Sequence, residues 1–157
     1  MKPIARSLLD LLPDQVAMTH RFVACVDESD YDFGSWSQVT GLDISWEEVT
    51  YRPGEQSTAE VFGGAVRYQP IRLSRAACAD SAVVKEWLSK TAAGRQPLSG
   101  AIHMVDFLGM PIITWELKQF FPISWSISGF DSSSAQTAIE ELSLAHAGFL
   151  DDDRRAL

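Results

Sequence analysis

The chain has 157 residues, five Trp and eight Phe within a 46 % hydrophobic fraction, which suits one domain with a real core and argues against disorder. Its net charge of −8 and sequence pI near 4.7 leave no basic footprint for sequence-independent nucleic-acid binding and disfavour anionic membrane surfaces. No apolar run approaches the ~18 to 20 residues of a membrane span, and residues 1–4 (MKPI) lack the apolar stretch of a secretory signal.

Residues 1–15 stand apart as an N-terminal arm. Within it ARSLLDLL (5–12) offers two helical turns closed by Pro13, too short to be stable alone. It either packs on its own domain or reaches a neighbouring subunit. From His20 the period becomes two, and HRFVACV (20–26) reads as a strand. The acidic stretch 27–32 lacks the Gly and distal Glu of a calcium loop and reads as a solvated hairpin turn. GSWSQVT (34–40) is a second strand and LDISWEEVTY (42–51) a third, with Gly41 between them. In the third, Ile44 and Trp46 share one face while Val49 and Tyr51 take the other, so the phase change at Glu47-Glu48 marks either a bulge or a strand that leaves one sheet for another.

Residues 52–65 (RPGEQSTAEVFGGA), punctuated by Pro53-Gly54 and Gly63-Gly64, read as the longest irregular stretch. Residues 66–74 are extended again, with Pro70 marking an edge or bulge. One helix is expected from an N-cap at Asp80 to Gly94, with Val83, Val84, Trp87 and Leu88 as its apolar stripe and Glu86 and Lys90 as an i,i+4 pair. Residues 101–108 and 111–121 form a hairpin around Gly109. Ile113, Trp115 and Leu117, then Ile123, Trp125 and Ile127, alternate with polar residues and are read as core. Residues 137–146 fit either a helix or a strand. The tail at 151–157 is charged, and its three Asp are read as solvated. One helix among seven or so strands makes the chain mainly β, a β-barrel or sandwich carrying a helix.

Catalytic patterns are scarce. His20, His103 and His146 form no short-spaced ligand motif, and Cys25 and Cys78 read as buried, reduced thiols beside no other ligand type. No Gly-x-Ser-x-Gly or phosphate-cradling loop occurs. Glu47-Glu48 and Glu140-Glu141 are neighbours on strands and face opposite sides, so neither is a two-carboxylate dyad. The residues point away from an enzyme. They leave open a small β-barrel module that binds carbohydrate or peptide through exposed aromatics.

From about residue 21 to 150 the spacing of motifs resembles the tail-tube proteins of contractile phage tails and the inner-tube proteins of extracellular contractile injection systems. The pieces are Phe22-Val23; Trp36-Ser37-Gln38-Val39-Thr40-Gly41-Leu42; Glu48-Val49-Thr50-Tyr51-Arg52-Pro53-Gly54; and Tyr68-Gln69-Pro70-Ile71-Arg72-Leu73-Ser74-Arg75. The helix with Trp87 follows, then Asp106-Phe107-Leu108-Gly109, Trp115, Phe121-Pro122-Ile123-Ser124-Trp125, and Glu140-Glu141-Leu142-Ser143-Leu144-Ala145-His146. The chain departs from the family pattern at Ala76, where a Gly is usual, at Phe62-Gly63-Gly64, which replaces a Pro-Gly, and at Ala147, where a Glu is usual.

The resemblance implies a tail-tube β domain over residues 16–150 with one flanking helix, and it favours a strand over residues 137–146. It implies a structural subunit without catalysis or cofactor, closed into hexameric rings that stack into a hollow tube or form a ring at its baseplate or cap end. Sheath and baseplate or cap proteins of the same particle are the implied partners, with assembly in the cytoplasm. Nucleic-acid sequence recognition and membrane insertion are not implied. Tyr51, Arg52, Gly54, Val61, Phe62, Gly63 and Tyr68 are the candidates for subunit contacts, and Trp87, Trp115 and Trp125 the candidates for the core.

Overall fold

A computed structural model describes residues 21–27, 31–54, 58–94, 97–129 and 131–150. The readings made for the N-terminal arm, His20 and the tail at 151–157 lie outside the described residues, as does part of the acidic turn at 27–32.

Among the described residues nine strands and one helix follow in the order β1 (Arg21–Val26), β2 (Asp32–Trp36), β3 (Gln38–Thr40), β4 (Ile44–Tyr51), β5 (Glu60–Tyr68), β6 (Ile71–Ala76), α1 (Ser81–Gly94), β7 (Leu98–Val105), β8 (Pro111–Ile127) and β9 (Ile139–Ala145). Seven strands make one antiparallel sheet in the order β2-β1-β7-β8-β9-β6-β3, and β4 and β5 pair only with each other. The two outermost strands of the large sheet, β2 and β3, are consecutive in the chain and separated by Ser37 alone. Ser37 bonds the Ser74 carbonyl through both its amide (3.0 Å) and its hydroxyl (2.8 Å), which holds this crossing to β6. The sheet therefore curls round a single interior.

Strand β8 makes the opposite corner. Its 17 residues pair first with β7 and then with β9. Gln119, at φ 50, and a register break between Pro122 and Ser124 lie where the partner changes. A non-glycine residue in the left-handed region is uncommon, and here it turns the strand from one half of the sheet to the other.

Alternation sets the interior. Phe22, Ala24 and Val26 of β1, Ile71 and Leu73 of β6, Ile102 and Met104 of β7, and Leu142 and Leu144 of β9 are buried. Helix α1 closes one side. Trp87 is buried with its ring 4.8 Å from that of Phe33 and 5.9 Å from that of Phe120. Its first turn starts where the Asp80 carbonyl accepts from the amides of Val83 and Val84. The Glu86–Lys90 pair forms at 3.1 Å on the exposed side.

The same alternation brings a charged pair inside. In register, Ile71 faces Leu144, Leu73 faces Leu142, and Arg75 faces Glu140, so the ion pair is the third rung of an apolar ladder. Arg75 Nε donates to Glu140 Oε2 at 2.6 Å, and its guanidinium lies 4.0 Å over the Trp36 ring while also donating to the Phe33 carbonyl. Ser81 Oγ (2.7 Å) and Trp125 Nε1 (2.9 Å) donate to the same carboxylate. Burial pushes the Glu140 carboxyl up, but the bonds from Arg75, Ser81 and Trp125 outweigh it and hold the group below its ordinary range.

Three expectations are corrected. Residues 60–65 are not part of an irregular loop; they begin strand β5, and the connection from β4 is confined to residues 52–59. The glycines at 63 and 64 belong to a bulged strand rather than to a loop end. Ile113 and Ile123 are exposed rather than core. Ile113 shares a face with Leu117 and pairs with the buried Met104, yet near the start of β8 its own side chain stays exposed. Ile123 is turned outward at the register break beside it. Cys78 is exposed rather than buried.

Candidate assembly surface

Strands β4 and β5 form a hairpin arm that leaves the body between β3 and β6. Its root is fixed by close backbone approach. Gly41 has φ +85, and a Cβ there would lie 2.0 Å from the Pro70 carbonyl oxygen, so no other residue fits the crossing. Tyr68, at the end of β5, packs its ring 5.4 Å from His146 and 5.2 Å from Phe149 of the same chain. Gly148 leaves room for that ring, since a Cβ there would meet it at 2.9 Å. His146 Nε2 donates to the Gln69 carbonyl at 3.0 Å. Tyr68 is thus an intramolecular anchor for the arm, with its ring only partly exposed.

Along the arm the cross-strand pairs are Ile44 with Tyr68, Trp46 with Val66, Val49 with Phe62, Thr50 with Val61 and Tyr51 with Glu60. Between Trp46 and Glu48 the register shifts by one, so that Gly64 and Ala65 together oppose Glu47. Of the two alternatives at Glu47-Glu48 this is the bulge, carried by the opposite strand. Gly64 is required there, because a Cβ would come within 2.8 Å of the Glu47 carbonyl oxygen.

The arm is unusually apolar for a two-stranded element in water. Trp46 is 56 %, Tyr51 59 % and Phe62 51 % exposed, and Val49, Val61 and Val66 are exposed as well. Of the sequence candidates, Tyr51, Val61, Phe62 and Gly63 lie on the arm's strands, and Arg52 and Gly54 follow at its outer end. Gly54 has φ +53 with open space round it. Sequence reasoning passed over Trp46, Val49 and Val66. Their signal was the change of apolar face noted at Glu47-Glu48, which two exposed apolar half-faces explain.

Two smaller apolar patches accompany the arm. At the β7–β8 turn Phe107, Leu108 and Met110 are exposed, held there by the Asp106 carboxylate accepting from the Leu108 (2.8 Å) and Met110 (2.9 Å) amides. A shallow groove lined by Leu88, Ala92, Phe121, Ile123 and Trp125 runs between α1 and β8. Trp115 and Trp125 are partly buried against the core, in contrast to the fully covered Trp87.

Reactive groups do not converge in a comparable way. Among the described residues no three His, Cys, Asp or Glu side chains gather as a metal site. Cys25 Sγ lies 3.5 Å from His103 Nε2, whose Nδ1 is 2.9 Å from Thr114 Oγ1. Burial pushes the Cys25 thiol up, with Asp27 and Asp32 adding to this and a bond to the Ala101 carbonyl opposing it. The thiol is held protonated, the reverse of an activated nucleophile. No helix among the described residues is long and apolar enough to cross a membrane.

The sequence profile of the family described as T4-like virus tail tube protein gp19 matches residues 18–150. No curated sequence is similar enough to match. Among solved structures, the chain is similar to one in the sheath–tube complex of the PVC extracellular contractile injection system in its extended state. The two share 22 % identity over 93 % of this chain and 95 % of that one, with a TM-score of 0.68. A chain of the PVC sheath/tube terminator is 24 % identical over 85 % of this chain and 91 % of that one, TM-score 0.64. A chain of the six-fold symmetrised baseplate of the anti-feeding prophage is 20 % identical over 81 % and 89 %, TM-score 0.61.

Proposed function

Because this chain belongs to the T4-like virus tail tube protein gp19 family, we propose that it is a structural subunit that closes into hexameric rings, stacked as the inner tube of a contractile injection system or phage tail. The observation that supports this most is the β4–β5 arm. A two-stranded hairpin is marginal in water on its own, and this one projects Trp46, Val49, Tyr51, Val61, Phe62 and Val66 into solvent. Exposed apolar surface of this kind marks a protein contact. An arm on one part of a subunit that seats on a different part of the next makes a head-to-tail contact. Such contacts close into rings when the rotation permits and continue as filaments when it does not. In this reading Tyr51, Arg52, Gly54, Val61, Phe62 and Gly63 belong to subunit contacts, while Tyr68 sets the arm's angle.

The role is structural, with no cofactor. Sheath and baseplate or cap proteins are the partners, consistent with relatives found in a sheath–tube complex, a tube terminator and a baseplate. Assembly takes place in the cytoplasm before the particle acts. Replacing Phe62 by Ser tests the reading, since the side chain is half exposed and lies outside the buried core. The variant should fold normally and fail to build rings or tubes. Normal tubes from the variant would remove the arm from the assembly.

A further inference from the structure

The arm carries exposed apolar side chains on both of its faces, and from this we infer that it is clasped between two other copies of the chain, one on each face. The inference rests on the assembly reading above. At the root, Ile44 and Trp46 of β4 and Val66 and Tyr68 of β5 share one face by register. On the opposite face of that half stand Ser45 and Arg67. Beyond the bulge a second apolar face appears. Val49, Tyr51 and Phe62 occupy it beside Glu60, while the first face keeps the exposed Val61 with Glu48, Thr50 and Gly63.

A hairpin that lay on one partner would carry its apolar residues on one face and leave the other polar, because strand alternation fixes every second side chain to the same side. The bulge at Gly64-Ala65 does not bring the two sets to one face, since β4 keeps its own alternation through it. Trp46 and Val66 on one side, and Val49, Tyr51 and Phe62 on the other, are all substantially exposed in the single chain. Covering both sets requires two surfaces on opposite sides of the arm. The polar residues at the back of each half, Arg67 with Glu47 at 3.8 Å and Thr50 with Glu48 at 3.5 Å, are paired within the arm.

Further copies of the chain are the occupants the structure favours. The body carries its own unmatched apolar surfaces at the α1–β8 groove and the β7–β8 turn. In a ring stacked on another ring, a projecting arm meets a neighbour in its own layer on one side and a copy in the adjacent layer on the other. The root face and the outer face therefore divide ring closure and stacking between them.

Single thiols placed on each face read this directly. With Cys25 and Cys78 changed to Ala, Val66→Cys marks the root face and Val49→Cys the outer face, each a small apolar exchange. Alkylation rates are compared between dissociated subunits and assembled tubes. Both thiols should slow at least tenfold on assembly, and a variant that folds but cannot assemble supports coverage at its face equally. Tubes in which either thiol reacts as fast as in free subunits would overturn the two-sided arm while leaving the assembly reading intact. Failure of the unmodified chain to form rings or tubes, with its particle partners present, would overturn both.

Discussion

Arg75 and Glu140 face one another across β6 and β9 at the rung where the apolar ladder of Ile71–Leu144 and Leu73–Leu142 would place another hydrophobic pair. The pair ties β6 and β9 to three further parts of the fold. Arg75 reaches β2 through the Phe33 carbonyl, and Glu140 reaches the start of α1 through Ser81 and the end of β8 through Trp125. Removing one partner strands a buried charge, at about 3 to 5 kcal/mol. Glu140→Gln should therefore unfold at markedly lower denaturant than the parent at pH 7.

The same carboxylate makes stability depend on acid. Its folded pKa lies below the unfolded value near 4.5, so its contribution is complete above that value and is lost as pH falls through the lower folded one. Melting temperature followed from pH 7 to pH 3 should fall in the parent, and Glu140→Gln should show a shallower decline. Parallel curves would show that other carboxylates carry the acid response.

Trp87 and the two strand tryptophans should separate by energy. Trp87→Ala empties a fully covered site against Phe33 and Phe120 and should cost about 3 to 5 kcal/mol. Trp115→Ala and Trp125→Ala should cost less, about 1 to 3 kcal/mol, because part of each ring already faces water. Denaturant midpoints of the three variants test the order.

Two glycines with positive φ make a matched comparison. Gly41→Ala combines φ +85 with a collision at the Pro70 carbonyl, whereas Gly54→Ala meets φ +53 in open space. The second should cost about 1 to 2 kcal/mol from backbone strain alone, and the first clearly more. Equal losses would show that the arm's root relaxes away from the contact.

Much of this was legible in the sequence because alternation and punctuation are local signals. The helix, the turn at Gly109, the bulge near Glu47-Glu48 and the strand over Ile139–Ala145 follow from them, the last with the help of the family resemblance. Strand β5 was not legible: Gly63 and Gly64 look like loop punctuation, and only pairing with β4 shows that Gly64 is there to let a bulge pass. Ile123 misled for a related reason, since a register break re-aims side chains without leaving a mark in the pattern. The Arg75–Glu140 pair was hidden by a separation of 65 positions in the chain. Its trace, a charge at an inward position on each of two strands, has meaning only once the strands are known to be neighbours. For the candidate surface, the exposed apolar residues Val61 and Phe62 were visible, but the two-sided arm needed the register.

Electrostatics should tune stacking. Six copies at −8 each give a ring a formal charge of −48, and the screening length grows from about 8 Å at 0.15 M salt to about 30 Å at 0.01 M. Rings should stack into shorter tubes as salt is lowered, while the rings themselves persist. Tube lengths measured by electron microscopy across that range check this, and lengths that ignore salt would show that repulsion between rings is already compensated.

Ring closure is the central claim, and native mass spectrometry of the purified chain tests it most directly. With a subunit of 17.4 kDa, the account predicts a discrete species of six times that mass, lost in Phe62→Ser while the variant's monomer remains folded. A parent chain that stays at the mass of one subunit at every concentration, with its sheath and baseplate or cap partners present, would contradict it.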